Sequence, residues 1–121
     1  MENSKVPEEI RSFVYEYITS LEQLEILFFL YKRSNNKYNA EMINQEIRSN
    51  IRSIENKLED LFEKNFIVLK NPKEKIYQYE ASNDKLADLV KDVYLFYKNN
   101  YHTMVNLIYS KPMVNLLSFT D

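Results

Sequence analysis

The chain of 121 residues contains no glycine, no cysteine and no tryptophan, and it has one histidine. At average usage, a chain of this length would carry about eight glycines. Without glycine, the glycine-rich loops that cradle phosphates and the G-x-S-x-G turn of hydrolases cannot form. Without cysteine, disulfides, thiol redox chemistry and zinc ribbons are excluded. We therefore do not expect an enzyme, and the sequence indicates neither a metal ion nor a cofactor.

The composition is that of one ordinary folded domain covering residues 1–121. Hydrophobic residues make up 45% and charged residues 28% of the chain, which argues against disorder. Sixteen basic residues against eighteen acidic ones give a net charge of −2, so any attraction to nucleic acid has to be local. No run approaches a membrane span and no secretion signal is visible. We expect a cytoplasmic protein.

The N-terminal half predicts four helices. The first covers residues 7–18 and begins at Pro7, a residue suited to the first helical turn. The second follows a capping box formed by Ser20 and Gln23, and it is apolar nearly all round, which is typical of a central helix. Asn39 is positioned to cap a short third helix, with Met42 facing the core. A fourth helix at about 50–64 has Ile51 and Phe62 in its apolar stripe.

The C-terminal half predicts a hairpin and one long helix. Asn65 can end the fourth helix in the left-handed conformation. The hairpin covers residues 66–80, with a type I turn at Asn71 and Pro72. The last helix covers residues 83–110. The predicted fold class is therefore mainly α with a small β-hairpin (α+β), a winged helix-turn-helix core at 20–81 with a long C-terminal helix.

The run of residues 53–67 resembles the recognition helix and wing entry of MarR-type and related bacterial winged-helix regulators. Residues 21–27 resemble the opening helix of such domains, and residues 39–43 resemble the first helix of their helix-turn-helix. The chain is also similar to a group of small, poorly characterised bacterial winged-helix proteins that end in a phrase like LIYSKP, found here at 107–112. The resemblance covers residues 10 to 112 and implies a DNA-binding transcriptional regulator.

The resemblance also implies which residues contact duplex DNA. The fourth helix would enter the major groove, where Arg52 can pair with guanine and Asn56 with adenine, while the hairpin lysines would meet phosphates. Lys37 can extend the phosphate-binding rim. The implied DNA-binding residues are Arg48, Ser49, Asn50, Arg52, Ser53, Asn56, Lys57, Lys70, Lys73 and Lys75.

The charges leave an alternative open, in which the same fold is a protein-protein interaction module without DNA binding. Residues 35–80 carry eight basic and eight acidic side chains, whereas duplex DNA needs local positive charge. Glu55 and Glu59 share the outward face of the fourth helix with Asn56 and would repel a phosphate. An acidic fourth helix would favour a protein partner.

The terminal helices suggest further partners. The last helix has more apolar positions than one face needs, which predicts a homodimer through the C-terminal and N-terminal helices; the alternative is that these helices pack together within a monomer. The ten tyrosines and seven phenylalanines suit either the edges of a small core or a ligand pocket beside the last helix. His102 has no second ligand for a metal nearby in sequence. No structure is predicted for the tail after Pro112.

Overall fold

The computed structural model describes residues 6–111, so the tail after Pro112 lies outside the described residues. Within 6–111 the chain forms six helices and one two-stranded hairpin, which confirms a mainly helical α+β chain. No helix in this range is long and apolar enough to cross a membrane. In chain order the elements are α1 (Glu8–Tyr17), α2 (Leu21–Lys32), α3 (Ala40–Glu46), α4 (Ile51–Glu63), β1 (Ile67–Asn71), β2 (Ile76–Tyr79), α5 (Asp84–Asn99) and α6 (Tyr101–Tyr109).

Side-chain caps begin α2, α3, α4 and α5. Ser20 Oγ accepts a hydrogen bond from the Gln23 amide at 3.1 Å, and Asn39 Oδ1 accepts one from the Met42 amide at 2.9 Å, so both predicted N-caps are confirmed. The other half of the predicted capping box is shifted by one residue, because Gln23 Oε1 accepts from the Thr19 amide at 2.7 Å. Asn50 caps α4 in the same way. Asn65 ends that helix with φ 71°, the predicted left-handed conformation.

The core is built around α2, as its apolar circumference predicts. A continuous run from Ile26 to Leu30 is buried, and α2 contacts both α4 and β2. Three predicted core positions are wrong: Met42, Ile51 and Phe62 are 44%, 38% and 41% exposed. Ile51 and Phe62 lie near the two ends of α4, and Met42 lies on the short α3.

The predicted long helix over 83–110 is also wrong, because the chain breaks at Asn100. That residue has φ −139° and ψ 51°, outside helical geometry. Its Nδ2 donates to the Phe96 carbonyl at 3.2 Å, and Asn99 Nδ2 donates to the Leu95 carbonyl at 3.0 Å. Two consecutive asparagines thus satisfy the last carbonyls of α5 and end it. Both α5 and α6 contact α1, and five of their apolar residues are buried within one copy of the chain: Val90, Val93, Met104, Leu107 and Ile108.

The hairpin is antiparallel and pairs Ile67 with Tyr79 and Leu69 with Tyr77. Asn71 Oδ1 accepts from the Glu74 amide at 3.0 Å in the turn, and Lys75 adopts φ 56°. The backbone of Tyr77 also exchanges two hydrogen bonds of 2.8 Å with Tyr38, just before α3. The hairpin is therefore attached to the start of α3.

Candidate functional site

Three of the sequence-predicted DNA-binding residues converge on a carboxylate of α2. Ser49 Oγ and Ser53 Oγ both donate to Glu22, the second at 2.8 Å, and Lys57 Nζ lies 3.5 Å from Glu22 Oε1. We call Glu22, Ser49, Ser53 and Lys57 the Glu22 cluster. Burial raises the pKa of the Glu22 carboxyl, but the hydrogen bonds from Ser49 and Ser53 and the Lys57 ammonium outweigh it and hold that pKa below its ordinary value.

In the Glu22 cluster, three side chains that were implied to contact DNA instead contact α2. Ser53 and Lys57 lie four residues apart on one ridge of α4, and Ser49 lies just before the helix. That ridge faces the N-terminal turn of α2, where Glu22 lies. Sequence spacing showed that the ridge is polar, but it could not show that α2 covers it.

The other sequence-predicted DNA-binding residues fall into two groups, those whose side chains make a hydrogen bond or an ion pair and those whose side chains do not. Asn50 Oδ1 caps α4 by accepting from the Ser53 amide at 3.1 Å, and Lys75 Nζ lies 3.9 Å from Glu59 Oε2. Among residues 6–111, the remaining five are exposed and their side chains have no recorded hydrogen bond or ion pair; they are Arg48, Arg52, Asn56, Lys70 and Lys73. Arg48 lies with Ser49 in a shallow recess, and Lys73 lies with Lys75 at the hairpin.

A groove of about 290 Å³ lies where the start of α3, the outer face of α4 and the hairpin turn meet. Its floor is apolar, because Ala40, Leu58 and Tyr77 are almost fully buried. Among the described residues, its charged lining comprises four carboxylates and two ammonium groups; they are Glu41, Glu55, Glu59, Glu74, Lys73 and Lys75. We call this site the acidic groove.

The acidic groove has an electrostatic effect on its own floor. The pKa of the Tyr77 hydroxyl is raised by burial, and the Glu59 and Glu55 carboxylates raise it further. The two carboxylates of α4 therefore disfavour ionisation of the same buried tyrosine. Lys75 offsets part of the charge of Glu59, and it is 57% exposed, so solvent screens this pair strongly.

Apolar side chains flank the charges of the acidic groove. The Phe62 ring centroid lies 6.2 Å from that of Tyr77 and the Phe62 side chain is 41% exposed. Met42 follows the groove residue Glu41 in sequence and is 44% exposed. A partner can thus gain both ionic and apolar contacts here.

Sequence reasoning identified Glu55 and Glu59 but did not group Glu41 and Glu74 with them. The signal for the pair was their spacing of four on one helix face. Glu41 and Glu74 belong to separate elements, and only the attachment of the hairpin to α3 brings them together.

Within residues 6–111, no group of three or more histidine, cysteine or acidic side chains is arranged to hold a metal ion. Compared with known proteins, the chain matches no family model, no curated protein and no solved structure.

Proposed function

We propose that this chain is a winged-helix interaction module whose acidic groove binds a basic segment of a protein partner. The observation that carries the proposal is the lining of that groove, where carboxylates outnumber ammonium groups. Charge complementarity selects a partner with lysine or arginine side chains. The exposed Phe62 and Met42 would add apolar contacts beside the ionic ones.

The winged-helix architecture is part of this proposal. The short α3 and the longer α4 pack together as the two helices of a helix-turn-helix do. The hairpin follows α4 directly, and the Tyr38–Tyr77 bridge adds a strand-like contact at its inner edge. The resemblance to MarR-type regulators stays a prediction.

The test compares a basic peptide with its acidic counterpart. The full chain, labelled with ¹⁵N, is titrated with a short peptide of alternating lysine and alanine, and separately with one of alternating glutamate and alanine. We expect amide shifts around Glu41, Glu59 and Tyr77 with the lysine peptide only. Replacing Glu55→Gln together with Glu59→Gln should weaken binding by about tenfold or more, because charge-assisted contacts are lost.

A matched control removes two carboxylates outside the groove, by Glu80→Gln together with Asp88→Asn, both at exposed positions. This control should bind the lysine peptide like the original chain. Equal weakening in both double variants would show that only net charge matters, and it would refute the acidic groove as the binding site.

A second candidate function is binding of duplex DNA, as a transcriptional regulator. It is favoured by the five exposed side chains without recorded partners among the described residues, Arg48, Arg52, Asn56, Lys70 and Lys73. If DNA binds through them, affinity should fall steeply with salt, and Arg52→Ala together with Lys73→Ala should abolish it. The Glu55→Gln, Glu59→Gln variant should bind DNA more tightly, the opposite of its effect on the lysine peptide. Undiminished binding in the Arg52, Lys73 variant would refute this surface.

The predicted homodimer through the terminal helices also stays a proposal, on a smaller surface than the sequence indicated. Leu95 and Tyr109, on α5 and α6, are 44% and 74% exposed. Light scattering at micromolar concentration should give about twice the chain mass if a two-fold dimer forms. A monomer mass over a wide concentration range would contradict it.

A further inference from the structure

A second groove, of about 680 Å³, lies between α2, the turn after α3 and the C-terminal end of α5. Aromatic rings from α2, α5 and α6 line it. Phe28 of α2 lies 5.2 Å from Tyr94 and 5.0 Å from Tyr97, and Tyr97 lies 5.5 Å from Tyr101 across the break at Asn100 (centroid distances). We call this site the aromatic groove. Its volume is within the range of small-molecule sites.

Basic side chains surround these rings. Lys32 and Arg33 come from the end of α2, Arg48 from the turn before α4, and Lys98 from the end of α5. Among residues 6–111, none of these four has a carboxylate within 4.0 Å, since the recorded ion pairs involve Lys57, Lys64 and Lys75. Arg33 lies 3.9 Å from the centroid of the Phe29 ring, which leaves its charge without an anion. Glu25 and Glu46 also line the groove, so four basic side chains face two carboxylates. The net charge of the lining is positive and therefore attracts anions.

The groove also offers an acceptor. Glu25 lines it, and burial together with the neighbouring Glu22 raises the pKa of the Glu25 carboxyl. This carboxyl has no cation partner within 4.0 Å among the described residues. A ligand with amino hydrogens would give it the hydrogen bonds it lacks.

We propose that the aromatic groove binds a nucleotide, with its base on the tyrosine rings and its phosphate among the four basic side chains. Bases stack on aromatic side chains whatever their identity, and arginine binds phosphate in a bidentate manner. The amino group of an adenine, guanine or cytosine would meet Glu25. A simple aromatic acid satisfies the rings and the cations but leaves Glu25 without a donor. In a chain without glycine, side chains have to hold the phosphate that glycine-rich loops hold elsewhere.

The test is calorimetric titration of the full chain with adenosine 5′-monophosphate, adenosine, inorganic phosphate and benzoate. We expect the nucleotide to bind at least about tenfold more tightly than each of the other three, since only it engages the rings, the cations and Glu25 together. Phosphate binding as tight as the nucleotide would reduce the site to an anion site and overturn the proposal. Equally tight benzoate would overturn the nucleotide as its ligand. A short oligothymidylate that binds more tightly than the nucleotide would assign the groove to single-stranded nucleic acid instead.

Matched variants locate the binding. Tyr101 is 43% exposed and Lys98 is exposed, so their replacement should leave the fold intact. Tyr101→Ala and Lys98→Gln should each weaken nucleotide binding by about tenfold, the usual effect of losing one stacking or charge-assisted contact. Their controls, Tyr109→Ala and Lys91→Gln, change exposed residues of the same types outside the groove and should bind like the original chain. Unchanged binding in both groove variants, or no binding by the original chain, would refute the proposal.

Discussion

The acidic groove and the aromatic groove differ in where their charges come from. In the acidic groove, Glu55 and Glu59 lie one turn apart on α4, and Glu59 is partly offset by Lys75 at 3.9 Å. In the aromatic groove, four basic side chains come from α2, α5 and the turn before α4. Tertiary packing assembles both surfaces, but in the acidic groove two of the four carboxylates are also neighbours on one helix. One small fold thus carries two grooves whose linings have opposite net charge, although the net charge of −2 of the chain indicates neither.

Helix α2 shows the same contrast within a single turn. Glu22 points to the ridge of α4, where it accepts hydrogen bonds from two serines and has a lower pKa than usual. Glu25 lines the aromatic groove, where burial raises its pKa. The pKa values of two glutamates three residues apart thus shift in opposite directions on folding, because hydrogen-bond donors surround the Glu22 carboxylate and none among the described residues contacts that of Glu25.

The largest expected effect comes from reversing the charge of the acidic groove. Glu55→Lys together with Glu59→Lys should weaken binding of the lysine peptide by on the order of a hundredfold, because the electrostatic attraction becomes repulsion. The nucleotide affinity of the aromatic groove should change by no more than about twofold, because salt screens interactions between surface charges beyond about 10 Å. Calorimetry with both ligands on the same variant measures both effects. A parallel loss of the two affinities would show that the grooves are not independent.

A smaller effect is expected from Glu22→Gln. The folded-state pKa of Glu22 is lowered, so its ionised form stabilises the fold above the unfolded value of 4.5, and this stabilisation is lost as pH falls through the folded pKa. At pH 7 the variant should lose about 1 kcal/mol of unfolding free energy. The loss should shrink at pH 3, measured by urea unfolding. A loss of the same size at both pH values would mean that shape rather than charge matters at this position.

The smallest effect, and one of opposite sign, is expected from Glu25→Gln. Because the folded-state pKa of Glu25 is raised, the original chain loses stability as pH rises from 4.5 through that pKa. The variant should therefore be the more stable at pH 7, by an amount that solvent screening keeps below about 1 kcal/mol. At pH 3 the two proteins should unfold at the same urea concentration. A variant less stable than the original at pH 7 would contradict the assignment of an unpaired carboxyl.

The features that could be predicted from the sequence are those set by neighbouring residues. The caps at Ser20 and Asn39, the left-handed Asn65 and the hairpin turn at Asn71 each depend on a few adjacent positions, and the structure has all of them. The break at Asn100 had a local signal as well, in the pair of asparagines, but the apolar periodicity continues across it. Periodicity identifies a buried face without showing whether the helix that carries it is continuous.

The features that could not be predicted depend on contacts between distant residues. Ser53 and Glu22 are 31 residues apart, and no spacing rule connects them. The same holds for the aromatic groove, whose Phe28 and Tyr97 come from helices at opposite ends of the chain. The many tyrosines left a pocket beside the last helix open as one of two alternatives. Which rings lie together follows from the contacts of Phe28 with Tyr94 and Tyr97.

The two left-handed residues have a consequence for the unfolded chain. Asn65 and Lys75 take positive φ in a protein where every residue carries a Cβ atom, and each such conformation costs about 1 kcal/mol or more. The same lack of glycine narrows the range of backbone conformations open to the denatured ensemble, which lowers the entropy lost on folding. Local strain at two turns thus accompanies an entropic advantage spread over the whole chain.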